Sequence, residues 1–288
     1  MELRKVFQVI DGVRKMVGDG FDVTSPMPGS RIRQLSPFLL IDHTGPMEVK
    51  PTNHPLGADP HPHRGFETVT IVYQGYLAHR DTAGYSGKIG PGDVQWMTAG
   101  SGLLHEERHE KEFSKEGGLL ELVQLWVNVP KKDKMAAPRY QELPASIIPV
   151  IQKKDDKSSI RVISGAYENV AGPAQTFSPI TILDVKQQAG SRIELTLPTD
   201  YNVGLYVVKG VVTVNETRQA KDKQLVNFGW NAENIHVSCT EDCAYLILAG
   251  EPIEEPLATY GPFVMNTNKE LIAAMEDFAS GKMGRFTD

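Results

Sequence analysis

Short apolar and β-branched runs, each closed within a few residues by Gly, Pro, Asn or Asp, most narrowly limit what this chain can fold into. Among 288 residues there are 26 Gly and 19 Pro. The runs at 7–10, 37–42, 67–73, 93–97 and 119–129 have strand length and carry almost no helical periodicity. Gln74-Gly75 reads as a tight turn, which predicts a hairpin over 67–80. Many short strands separated by such turns predict an all-β sandwich or barrel.

The second half repeats this grammar at 179–185, 193–197, 204–214, 225–228, 235–239 and 244–248. Lys209-Gly210 echoes Gln74-Gly75, an offset of 135 residues. The expectation is a duplicated barrel, with an N-terminal lobe over 1–135, a crossover over 136–160 and a C-terminal lobe over 161–288. An Ala/Pro-rich piece here is surrounded by Lys131-Lys132-Asp133-Lys134 and Lys153-Lys154-Asp155-Asp156-Lys157, which read as solvated charge. One short C-terminal helix is predicted: Thr267 is its N-cap and Glu270 completes a capping box. Leu271, Met275 and Phe278 share a face, and Gly281 ends the helix.

Imidazoles and carboxylates collect in one place only. Asp59-Pro60-His61-Pro62-His63-Arg64-Gly65-Phe66-Glu67 is followed, some forty residues later, by Leu104-His105-Glu106-Glu107-Arg108-His109. Residues two apart on a strand face the same way. Two adjacent strands carrying His61/His63 and His105/Glu107 would offer three nitrogens and one carboxylate oxygen to a single divalent metal. Fe(II), Mn, Ni, Cu and Zn all suit such a set. At the repeat offset, His61 and His63 fall on Thr196 and Pro198, so the second lobe lacks the pair and His236 reads as structural or surface. His54 and His79 are read as loop and hairpin residues without partners, His109 as the exposed end of its strand, and His43 as a surface or pocket-rim residue. Arg64 is read as either an anion-steadying group or a surface ion pair.

Composition sets outer bounds. With 40% hydrophobic and 23% charged residues, the chain has ample core for a soluble protein. A net charge of −6 argues against direct nucleic-acid binding. Met1-Glu2-Leu3-Arg4-Lys5 opens no signal-peptide run and no segment reaches transmembrane length, which predicts a cytoplasmic protein without membrane partners. Cys239 and Cys243 read as reduced thiols.

The motifs resemble the cupin superfamily, and more closely the pirin family of bicupins. The resemblance rests on residues 37–42, 61–69, 91–100 and 105–107, and on 261–267 in the second half. It implies two jelly-roll barrels and one metal, usually iron, held in the first by His61, His63, His105 and Glu107. Glu67, which occupies the place of the general cupin glutamate, is the alternative fourth ligand and otherwise a neighbour of the site. The resemblance also implies quercetin 2,3-dioxygenase activity: O2 and a flavonol or other enol-bearing phenolic as partners, and Glu107 as both ligand and general base. Phe66, Trp96, Met97 and Trp126 would flank a flat ligand or pack the core. A second implied role is a metal-dependent regulator acting through a protein partner as iron changes oxidation state.

Overall fold

The computed structural model describes residues 2–153, 157–230 and 232–286. Residues 154–156 of the second charge run therefore lie outside the described residues. In chain order the first strands are β1 (Val6–Asp11), β2 (Val13–Val17), β3 (Phe21–Met27), β4 (Phe38–Val49), β5 (Gly57–His63), β6 (Phe66–Gln74), β7 (Leu77–Asp81), β8 (Ser86–Ile89), β9 (Val94–Thr98) and β10 (Leu103–His109). Helix α1 (Lys111–Glu116) precedes β11 (Gly118–Asn128), β12 (Arg139–Leu143), β13 (Val150–Gln152), β14 (Ser158–Ser164), β15 (Ala166–Tyr167) and β16 (Val170–Ala171). Then come β17 (Ile180–Gln187), β18 (Arg192–Thr196), β19 (Asn202–Lys209), β20 (Val211–Val214), β21 (Arg218–Lys221), β22 (Gln224–Phe228), β23 (Asn234–Cys239) and β24 (Cys243–Gly250). The chain closes with β25 (Ala258–Tyr260), β26 (Phe263–Met265) and α2 (Asn268–Ala279).

These strands form two jelly-roll barrels of matching topology. One pairs the sheet β12-β9-β6-β11-β4-β3-β2 with β5-β10-β7-β8; the other pairs β1-β22-β19-β24-β17-β14-β13 with β18-β23-β20-β21. The duplication expected from the sequence is therefore present strand for strand. The expected hairpin at 67–80 is not a paired hairpin: β6 and β7 lie in different sheets, as do β19 and β20. Gly75 (φ 78°) and Gly210 (φ 83°) carry the chain across each sandwich in a conformation that favours glycine.

The compact units are also not continuous stretches. One comprises Met1–Val13, Ser25–Leu39 and Ser146–Pro252; the other comprises Arg14–Thr24, Leu40–Ala145 and Ile253–Asp288. The boundaries 1–135, 136–160 and 161–288 thus differ from the observed units at both termini. The N-terminal strand β1 adds to the edge of the second barrel by pairing with β22. Within the crossover, β12 pairs with β9 of the first barrel, whereas β13 pairs with β14 of the second. An edge strand is recruited by free backbone groups, which sequence order does not specify.

Helix α2 belongs to the unit built on Leu40–Ala145, which holds the first barrel. Thr267 caps it, its hydroxyl accepting from the Glu270 amide at 3.3 Å and donating to Glu270 Oε2 at 2.9 Å. Its buried face, Leu271 and Ala274, packs with Phe263, Met265 and Met283.

The second barrel is filled with Ile193 and Leu195 from β18, Leu197 just after it, and Ile235, Val237 and Cys239 from β23. By topology these strands correspond to β5 and β10, which carry the histidines of the first barrel. His236 turns outward instead, Nε2 lying 3.3 Å from Glu194. Cys239 and Cys243 are free and buried.

Candidate metal centre

In the β5–β10 ladder His105 pairs with His61, and the register shifts before Glu107. His63 shares a strand face with His61, as the alternation predicts. One ring nitrogen from each of His61, His63 and His105 lies within 4.8 Å of the others. Among the described residues this is the one such group of three or more His, Cys, Asp or Glu side chains. His105 Nε2 stands 2.9 Å from His61 Nε2. His61 Nδ1 donates to the Asp59 carbonyl at 2.8 Å, which leaves the lone pair on Nε2, facing the cluster.

His63 and His105 are 3% and 1% exposed; the Nδ1 atom of His105 is buried without a hydrogen-bond partner, whereas His63 lies against the Pro262 backbone. Burial, reinforced by His61, lowers the His63 pKa well below its ordinary value. Burial and then His63, His61 and His79 do the same to His105. Both imidazoles are thus held neutral, the form that ligates a metal. Three converging imidazoles, each able to turn a lone pair inward, fit a divalent cation.

Glu107 faces the same interior but is not in the triad. Its carboxylate accepts from Gln124 Nε2 at 3.1 Å (Oε1) and 2.9 Å (Oε2), with Thr70 Oγ1 at 3.5 Å. Burial raises its pKa, and Gln124, His61 and Thr70 pull it back. Glu67, the alternative ligand, points elsewhere. It accepts from Thr98 Oγ1 at 2.7 Å, while its neighbour Phe66 lies 5.0 Å from the His63 ring. The break at Arg64-Gly65, with Gly65 at φ 84°, separates β5 from β6 and resets the strand parity. A Cβ on Gly65 would sit 2.0 Å from the Val264 carbonyl.

The Phe66 and Trp126 rings meet at a tilt, centroids 4.4 Å apart, and Trp126 lies edge-on 5.3 Å from His63, so these two rings wall the site. Trp96 is wholly buried, two positions from Thr98 and on its side of β9, away from the histidines. Met97 accepts from the Tyr140 hydroxyl at 2.9 Å. Beyond Glu107 a cavity of about 30 Å³ is bounded by Phe21, Leu77, Leu122, Asp42 and Gln124.

Several histidines sit differently from expectation. His109 is buried, not at an exposed end, and donates from Nε2 to the Gly20 carbonyl at 3.0 Å. His43 is wholly buried, 3.4 Å from Glu121. His79 is buried against Tyr140 at 4.8 Å, and burial brings its pKa down to about 4. His54 is exposed, as expected. Arg64 is buried rather than at the surface: Nε donates to the Ser101 carbonyl at 2.7 Å and Nη1 to Asp277 at 3.0 Å. Two residues that sequence reading passed over matter most here, Gln124 and Lys134. Lys134 Nζ donates to Gly65 O (2.7 Å), Asn128 Oδ1 (2.7 Å) and Val264 O (3.2 Å), clasping the turn after His63. Gln124 had a visible signal, one amide inside an apolar strand; Lys134 lay in a charge run and had none.

Two jelly-roll barrels, one lined with a histidine triad and the other apolar, define a bicupin with, among the described residues, one cluster that could hold a mononuclear metal. A family model described as Pirin matches residues 20–127, and one described as Pirin C-terminal cupin domain matches 182–284. A Pseudomonas aeruginosa protein named "Putative quercetin 2,3-dioxygenase" is 45% identical over 273 residues, 94% of this chain and 95% of that one. Pirin of Homo sapiens is 35% identical over 272 residues, covering 93% and 89%. The crystal structure of quercetin 2,3-dioxygenase from Acinetobacter baumannii superposes with a TM-score of 0.96 at 42% identity, over 99% of this chain and 100% of that one. The chain belongs to the pirin family. Among the described residues no helix is long and apolar enough to cross a membrane.

Proposed function

We propose that this protein is an iron-dependent dioxygenase that opens the central ring of quercetin or a related flavonol or enol-bearing phenolic with O2. The observation that carries the reading is the His61/His63/His105 triad, with the buried carboxylate of Glu107 facing the same interior. The names of the Pseudomonas and Acinetobacter relatives support the substrate class. Fe(II) held by the three imidazoles and Glu107 would supply a Lewis acid able to orient a phenolate oxygen and dioxygen together.

The chain's own residues do the rest. Burial keeps His63 and His105 neutral, so their lone pairs stay available. Burial also makes Glu107 a stronger base than a solvated carboxylate, fit to take the proton of the substrate's 3-hydroxyl. Phe66 and Trp126 give the wall beside His63 an aromatic character suited to a flat substrate.

The test is oxygen uptake by anaerobically iron-loaded protein given quercetin, with His105→Ala as control. Uptake with release of carbon monoxide, lost in the control, supports both substrate class and ligand set. No uptake by protein holding stoichiometric iron rejects quercetin. A protein partner whose affinity tracks iron oxidation state would then favour the regulatory role.

A further inference from the structure

We propose that Gln124 is a positioning residue that aims the Glu107 carboxylate at the histidine triad, anchored in turn by Thr70. The inference rests on the reading that Glu107 works at that triad, and it deepens it.

Glu107 stands on the four-stranded sheet, Gln124 and Thr70 on the seven-stranded one. The contact therefore spans the inside of the barrel. Gln124 and Thr70 are direct partners in the β11–β6 ladder, so their side chains emerge together. Gln124 Nε2 lies 3.2 Å from Thr70 Oγ1 and forks across both Glu107 oxygens at 3.1 and 2.9 Å. Among the described residues, Gln124 and Thr70 are the two hydrogen-bond donors to this carboxylate.

That arrangement has a specific consequence. A buried carboxylate without donors carries a large desolvation cost and turns toward whatever polar group it can reach. A donor fixed by its own ladder partner limits Glu107 to one arc, two strand positions from His105. An amide suits this task better than a cation would. It satisfies the oxygens without adding a full charge, so the carboxylate keeps its charge available for the triad. The surroundings agree, because Gln124 interrupts the otherwise apolar run Leu122-Val123-Gln124-Leu125-Trp126-Val127. Packing alone would place another Leu or Val there, as it does on either side.

The test is a double-mutant cycle read on metal binding, without substrate. Gln124→Met keeps side-chain length and removes the donor; Glu107→Gln removes the carboxylate charge. Each protein is titrated anaerobically with Fe(II) against a chelator, and separately with Cu(II) as an electron paramagnetic resonance probe of its ligands. The expected result for Gln124→Met is an Fe(II) affinity about 10- to 100-fold weaker and a Cu(II) spectrum altered toward that of Glu107→Gln. The double variant should lose no more than Glu107→Gln alone. Gln124→His, which restores a ring N–H donor, should recover part of the affinity.

Wild-type affinity and spectrum in Gln124→Met would overturn the proposal. So would losses that simply add, or a lowered melting temperature with an unchanged spectrum, which would mark Gln124 as packing only. Because no flavonol enters the measurement, a wild type inert toward quercetin leaves this result readable. A wild type that binds neither ion sinks the metal reading and this inference with it.

Discussion

His61 and His105 face each other across the β5–β10 ladder with their Nε2 atoms 2.9 Å apart. The His61 proton is committed to the Asp59 carbonyl through Nδ1, so at least one lone pair points into the gap. Such a pair is costly in a dry interior unless a proton or a cation lies between the nitrogens.

Removing one member should therefore empty the site. His105→Ala is expected to drop bound iron from stoichiometric to a few per cent under a chelator that the wild type resists. Metal analysis after gel filtration checks this. Iron retained in full would rule out the triad as the binding locus.

Glu67 predicts a pH effect independent of the metal. Its pKa is raised from 4.5 to about 7, first by burial, against the opposing pull of Thr98, Trp96 and Arg139. Between those values the folded protein holds a proton that the unfolded chain has released. Stability from this group is therefore present below pH 4.5 and is lost as pH rises to about 7. Glu67→Gln should be close to neutral at pH 5 and more stable than wild type at pH 8, by up to about 3 kcal/mol. Urea unfolding at both pH values decides it, and metal content should not change.

Lys134 is a buried cation whose three acceptors include the carbonyl of Gly65, two residues after His63. Burial brings its pKa down to about 8. Lys134→Met leaves those oxygens without their donor and should cost about 3 kcal/mol. Thermal unfolding measures the cost. Iron retention should weaken as well, because the turn that spaces β5 from β6 loses its clasp.

The helix cap offers a control away from the site. Thr267→Ala removes the hydroxyl that accepts from Glu270 N, and should cost about 1 kcal/mol. Faster proteolysis near α2 with unchanged iron content is the expected signature. Iron loss equal to that of His105→Ala would show the helix to be part of the site's support.

Much of the centre was legible before any coordinates. His-x-His has meaning on a strand, because a period of two gives the pair one face; the register shift between His105 and Glu107 is not visible in that spacing. The cap at Thr267 was equally plain, since capping is satisfied within four residues. The parity of Glu67 was not. It depends on one left-handed glycine, Gly65, which breaks the chain between β5 and β6. The buried state of His43, His79 and His109 was hidden for a similar reason, because each contacts a side chain or carbonyl far along the chain.

By itself the sequence determined what is local and periodic: strands punctuated by Gly and Pro, a repeated lobe, the candidate ligand residues and the shared face of His61 and His63, and the one long helix. Tertiary structure alone decided which strands share a sheet, that β1 and α2 serve lobes distant in sequence, and that Gln124 reaches Glu107 across a barrel. Hydrogen-bond ladders and side-chain alternation act between neighbours in sequence. Sheet partners and cross-barrel contacts are chosen by burial and by unpaired backbone groups, which depend on the whole chain once it has closed.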